Sequence, residues 1–266
     1  MLLNINGSRL NCIEAGIASK TSVVLLHGFP FSHQMWEPQF PVLAADYRGI
    51  SYDIRGHGTS DVGDGQYTIE LFVDDLIAVM DRLKIGTAVV VGLSMGGYVA
   101  LRALERVPER FSAAVLCDTR SESDGNEVKL KRAASIARVK REGSGPFASD
   151  FVKTVFAPAT LKNNPGRVER IQKGIEGMSP LAIAGTQLAL AARTDTTESL
   201  SRLSVPVLIL VGEHDAITPP DVCRAMQRRI PGSEFYIVPN AAHLSNLENP
   251  GFFNEKLLQF LGRVGT

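Results

Sequence analysis

The segment Gly92-Leu93-Ser94-Met95-Gly96 places one hydroxyl between glycines, straight after a run of valines. A strand pattern over residues 87–93 precedes it and a helical pattern over 98–107 follows. Glycines there let the chain turn sharply from strand to helix and lift the serine hydroxyl clear of the sheet edge. The helix N-terminus beneath favours developing negative charge. The plainer alternative is a small-residue turn that packs helix onto strand. The flanking elements and the further Gly97 favour a nucleophile, whose chemistry would be acyl transfer through a covalent intermediate.

A serine hydroxyl needs a base. Of the five histidines, His243 lies in VPNAAHLSNLENP, between the last strand and the last helix. A loop there reaches the carboxyl edge of an open α/β sheet, where sites of such folds gather. His27 is expected to shape the loop at Gly28 by hydrogen bonding, His57 to be structural and His33 to line an entrance. His214 neighbours a better acid. The base in turn needs a carboxylate to hold its tautomer. Asp215 ends the apolar run 207–212 in GEHD and is favoured, with Glu213 solvated. Asp118, at the end of run 113–118, is the rival and is otherwise expected to cap or anchor the start of the helical segment after it. The loop after the early strand, LLHGFPFS, places the Phe29 amide opposite Ser94. With the Met95 amide it forms the expected oxyanion hole, each donor contributing on the order of 3 kcal/mol.

Positioning these groups requires alternating strands and helices. β-branched runs at 23–27, 52–54, 87–93, 113–118, 207–212 and 234–238 are mostly apolar throughout, as strands covered on both faces are. Between them, IELFVDDLIAVMDRLKI has helical apolar spacing with Thr68 as N-cap, and NPGFFNEKLLQFL opens with Asn249 as cap and Pro250 at the first helical position. The alternation predicts a doubly wound α/β fold. From about 119 to 203 only helical patterns occur, broken by Gly143, Pro158, Pro165 and Pro180. The expected organisation is therefore an α/β core from 1–118 and 204–266 with a helical lid inserted at 119–203.

The balance of 28 basic and 28 acidic residues among 266 argues against nucleic-acid or membrane-surface partners. Three scattered cysteines form no disulfide or metal-binding pattern, and no apolar run approaches the roughly 20 residues of a membrane span. With no signal-peptide pattern at the N-terminus, a cytoplasmic location is expected. The sequence specifies no oligomeric state. Trp36 of the early loop and Phe147, Phe151, Phe156 and Met178 of the lid are candidate substrate-binding residues; their alternative is packing. Arg132, Arg138, Arg141, Arg167 and Arg170 are candidate carboxylate binders, or simply a solvated face.

His27-Gly28-Phe29-Pro30, Asp53-Ile54-Arg55-Gly56-His57-Gly58, Gly92 to Gly97, Gly212 to Asp215 and Ala242-His243 together resemble the α/β-hydrolase superfamily over nearly the whole chain. SMGGYVAL, CDTR and GEHDAITPP are similar to small lid-bearing carboxylesterases and oxoadipate enol-lactone hydrolases. The resemblance implies a mostly parallel eight-stranded sheet with helices on both faces and a helical cap. It also implies the order Ser94, Asp215, His243 for the triad. Relatives that use an aspartate at the elbow, the haloalkane dehalogenases and epoxide hydrolases, are disfavoured by Ser94. The expected activity is hydrolysis of small esters, short-acyl ones foremost, without metal or cofactor. Alternatives are enol-lactone hydrolysis, perhydrolysis or other acyl transfer, and, on a different plan, a non-catalytic ligand receptor.

Overall fold

A computed structural model describes residues 1–18 and 20–264. Eight strands, β1 (Leu2–Ile5), β2 (Ser8–Gly16), β3 (Ser22–Leu26), β4 (Arg48–Tyr52), β5 (Ala88–Leu93), β6 (Phe111–Cys117), β7 (Val207–Gly212) and β8 (Glu234–Val238), form one sheet in the order β1-β2-β4-β3-β5-β6-β7-β8. β2 pairs antiparallel with β1 and β4, and all other neighbours are parallel. The helices of the first half are α1 (Phe40–Leu43), α2 (Ile69–Arg82) and α3 (Met95–Arg106). Between β6 and β7 run five more: α4 (Asn126–Glu142), α5 (Ser144–Val155), α6 (Pro158–Asn163), α7 (Pro165–Glu176) and α8 (Pro180–Ala191). The chain closes with α9 (Pro220–Gln227), α10 (Ser245–Glu248) and α11 (Pro250–Val264).

The unbroken apolar strands have a direct cause, because alternate residues enter two separate cores. Val24, Leu26, Val90, Leu116 and Ile209 pack with Leu76 and Val79 of α2, Val99 and Ala103 of α3 and Met226 of α9. Val23, Leu25, Val89, Val91, Val115 and Leu210 pack instead with Leu43 of α1 and Phe253, Leu257 and Phe260 of α11. α2 starts where Thr68 Oγ1 accepts the Leu71 amide at 3.0 Å, and α11 starts at Pro250 with Asn249 Oδ1 accepting the Phe252 amide at 3.3 Å.

Two differences from the sequence reading concern strands. The β1–β2 hairpin is an element that the sequence patterns did not predict. Its signal is short: Leu3 and Ile5 alternate inward, and Asn6 and Gly7 both take positive φ (44° and 77°), as an Asn-Gly hairpin turn requires. β4 ends at Tyr52, earlier than the expected 52–54, because the next carboxylate, Asp53, is drawn into the loops. It accepts the amides of His33 at 2.8 Å and Thr59 at 3.0 Å. Among the described residues no helix is long and apolar enough to cross a membrane.

Candidate active site

Ser94 sits between the end of β5 and the start of α3 with φ 53° and ψ −113°, a conformation that side-chain-bearing residues adopt only under constraint. The constraint comes from its glycines. A β-carbon at Gly96 would lie 2.1 Å from the Leu26 carbonyl oxygen, and one at Gly92 would lie 2.3 Å from that of Gly96. The Ser94 carbonyl is gripped by the Gly97 amide at 2.9 Å, the Tyr98 amide at 3.1 Å and the Thr119 hydroxyl at 2.8 Å. Its hydroxyl faces a cavity of about 910 Å³ and makes no hydrogen bond to a described residue.

His243, on the loop after β8, lines the same cavity. Its ring is buried, with Nδ1 at 2.8 Å from Asp215 Oδ2. Asp215 follows β7 and is held by a turn: Oδ1 accepts the Ile217 and Thr218 amides (2.8 and 3.0 Å), and Oδ2 accepts the Thr218 hydroxyl at 2.6 Å. Burial works to raise the Asp215 carboxyl, yet the charge and hydrogen bond of His243 and the Thr218 donors outweigh it and hold the group well below the usual carboxylate range. In the neutral imidazole, a charged Asp215 keeps the proton on Nδ1, the tautomer whose Nε2 is bare.

Asp118 is placed differently. Its Oδ1 accepts the Gly212 amide at 2.8 Å and its Oδ2 accepts the Ser245 hydroxyl, so it ties the end of β6 to β7 and α10 instead of capping the start of the insertion. Burial, with the neighbouring charge of Asp215, pushes its carboxyl well above the usual range. Glu213 is exposed and accepts the Asn240 amide at 2.9 Å.

On the opposite wall, the Gly28 amide donates to Met35 Sδ at 3.3 Å and the Phe31 amide to the Gly28 carbonyl at 2.9 Å. No described residue accepts from the Phe29 or Met95 amide, and both residues line the cavity that Ser94 lines. Beneath Phe29 lie two buried imidazoles with ring centres 5.0 Å apart. His27 Nδ1 pairs with the Gly28 carbonyl and Nε2 accepts the Ile54 amide, both at 2.9 Å; His57 Nδ1 pairs with the Arg55 carbonyl at 3.1 Å. Burial pushes His27 down to about 4 and His57 down to about 3. Both rings are therefore neutral in the folded chain, while an unfolded imidazole protonates near 6.5. Stability present at neutral pH is lost as pH falls from about 6.5 toward those values. The drop in unfolding free energy between pH 7 and pH 5 is expected to be about 2 kcal/mol smaller in His57→Gln than in the parent. Denaturant titrations at the two pH values measure it, and an equal drop in both proteins would refute the neutral-ring assignment.

Phe29, Phe147, Phe151 and Phe156 line the Ser94 cavity. The Phe147 and Phe151 rings stack at 5.3 Å, each 6.1 Å from Phe29. Trp36 and Met178 do not line it. Trp36 belongs to a 3-10 turn, His33–Trp36, whose inward side packs under α11 with Phe253 at 6.3 Å. Met178 borders a separate 240 Å³ pocket with His33, whose Nδ1 is bound to Asp53 at 2.6 Å. The sequence reading missed Tyr98 and Gln187 on the cavity wall. Tyr98 is one helical turn beyond Ser94, and Gln187 is a buried amide in the apolar helix α8; both signals were visible. Among the described residues no three His, Cys, Asp or Glu side chains converge as metal ligands would.

A family model described as alpha/beta hydrolase fold matches residues 21–250. A thermophilic esterase from Thermogutta terrifontis, solved with malate bound, is 36% identical with a TM-score of 0.95, the match covering 100% of this chain and 99% of that one. An enol-lactonase from Burkholderia xenovorans is 28% identical with a TM-score of 0.93, covering 98% and 100%. A 3-oxoadipate enol-lactonase of Acinetobacter baylyi is 29% identical over 245 residues, 92% of this chain and 90% of its own.

Proposed function

The chain belongs to the alpha/beta hydrolase fold family, and from that premise we propose that it cleaves small carboxylic esters through Ser94, His243 and Asp215. It is a carboxylic ester hydrolase, as its esterase and enol-lactonase relatives are. The observation that carries the residue assignment is the buried 2.8 Å pair of His243 and Asp215 on the cavity that the strained Ser94 faces.

In the proposed cycle Ser94 Oγ bonds to the ester carbonyl carbon while His243 Nε2 takes its proton. The oxyanion rests on the Phe29 and Met95 amides. Collapse breaks the bond to the alkoxy oxygen, and His243 gives that oxygen its proton. A water, deprotonated by the same Nε2, then attacks the acyl carbon, and Ser94 leaves with the proton returned. Helices α4 to α8 act as the cap, with Phe147, Phe151 and Phe156 of α5 and the residue after it forming the apolar side of the acyl pocket. A second reading, enol-lactone hydrolysis by the same residues, is favoured by the two enol-lactonase relatives.

Nitrophenyl esters of about two to twelve acyl carbons test the first reading. The short-acyl reading expects turnover to peak at short chains and to fall at least about tenfold by the longest. A rate that keeps rising with chain length would reject the short-acyl assignment. Negligible turnover at every length, with rapid opening of an enol-lactone, would favour the second reading.

A further inference from the structure

Five arginines of the segment between β6 and β7 are candidate carboxylate binders by sequence, and the fold separates them. Arg138 and Arg141 pair with Glu142, and Arg138 also with Asp150; Arg170 pairs with Glu37, all on exposed surface. Of the five, only Arg132 lines the Ser94 cavity. It reaches the wall because Val128, Lys131, Arg132 and Ser135 share one face of α4, at the spacing that brings helical side chains together.

Arg132 is also fixed. Its Nε donates to Asp124 Oδ2 at 2.5 Å, while the other oxygen of that buried carboxylate, Oδ1, meets Arg193 at 2.7 Å. Arg193 is itself buried, donates to the Leu190 and Glu122 carbonyls at 2.9 and 2.7 Å, and stacks over the Tyr98 ring at 4.3 Å. One carboxylate thus serves two arginines. Arg132 is held by Nε alone, and its terminal nitrogens make no hydrogen bond to a described residue. Among the described residues no Asp or Glu lines the cavity. The other two cations on its wall, Lys131 and Lys153, are exposed and paired with Glu127 and Asp150, so solvent screens them.

We propose that Arg132 is a specificity residue that receives a carboxylate on the substrate, so that the enzyme prefers esters bearing a free acid group to neutral esters of the same size. This rests on the ester-hydrolase reading and adds the substrate class. A guanidinium whose Nε is occupied and whose two Nη groups are free presents a planar pair of donors, the geometry a carboxylate matches with two hydrogen bonds. Asp124 and Arg193 pre-position that fork, and the Phe29, Phe147 and Phe151 rings flank the non-polar part of the ligand.

Three measurements test it on the full chain. The ratio of kcat/KM for mono-nitrophenyl glutarate over nitrophenyl butyrate reads an acid on the acyl side. The ratio for 4-carboxyphenyl butyrate over phenyl butyrate reads one on the alcohol side. Arg132→Gln is expected to lower one of these ratios about tenfold to a hundredfold, with the loss in KM more than in kcat. Arg132→Lys should restore part of it, and Arg141→Gln, on the exposed surface, should leave both ratios as they are. Calorimetric binding of glutarate should weaken by a similar factor in Arg132→Gln. Both ratios unchanged, or glutarate bound equally by the two proteins, would overturn the assignment. Absence of all ester turnover would count against the catalytic reading alone, because glutarate binding still reports on Arg132 without chemistry.

Discussion

Ser94→Ala is expected to lower kcat for ester hydrolysis by about 10⁴- to 10⁶-fold while leaving the protein folded. The size of the loss follows from what one oxygen does. In the proposed cycle no acyl-enzyme forms without it, and only the Phe29 and Met95 amides and substrate binding would remain to help water attack directly. The fold should survive because the contacts that hold the elbow are made by the Ser94 main chain: its carbonyl takes the Gly97 and Tyr98 amides and the Thr119 hydroxyl. Alanine at φ 53° meets the same backbone cost as serine there. Two readings check the prediction together: residual turnover, and mass spectrometry after a fluorophosphonate probe, which should add to the parent and not to the variant. Thermal midpoints should agree within a few degrees. A variant that keeps a tenth of its activity would remove Ser94 from the chemistry.

Why the sharp turn at Ser94 was legible from sequence and the place of Trp36 was not is a matter of range. The elbow's glycines stand together in one short segment, Gly92 against Gly96 itself and Gly96 against Leu26 of the neighbouring β3, so the motif announces the turn locally although one of its contacts is distant. Likewise, the parallel strands reveal themselves because both faces are covered and every residue must be apolar. Which side of the 3-10 turn His33–Trp36 faces inward is decided by α11, more than two hundred residues away in sequence, where Phe253 meets Trp36. The same holds for the arginines. Along α4 the charges at 132, 138 and 141 look equivalent; only the packing of α4 against α8 puts Arg132 on the cavity and leaves the others in solvent. The β1–β2 hairpin escaped for the opposite reason. Its four-residue first strand offers too few alternations to stand out, even with Asn6-Gly7 marking the turn.

Replacing the two buried aspartates with asparagine separates their roles, and the expected contrast is large. Asp215→Asn should lower kcat by about 10⁴-fold. The reason lies in how the native oxygens are shared. Oδ1 accepts two main-chain amides, from Ile217 and Thr218, which cannot turn away. The asparagine oxygen must take that place, so the NH₂ group replaces Oδ2 opposite His243 Nδ1. An NH₂ there demands a bare Nδ1 and drives the ring proton to Nε2, the nitrogen that has to accept from Ser94. The Thr218 hydroxyl can rotate to accept instead of donate, so the fold gives little resistance to the exchange. Asp118→Asn meets none of these conditions. Burial pushes that carboxyl toward its neutral form, so an amide conserves its charge. An asparagine oxygen still accepts from Gly212, and the Ser245 hydroxyl can accept from the NH₂. Its kcat is expected within about tenfold of the parent, an effect no larger than one hydrogen bond. Steady-state kinetics on a single short-chain ester suffices, with circular dichroism as the folding control. Losses in the reverse order would transfer the acid role to Asp118 and with it the orientation assigned to His243.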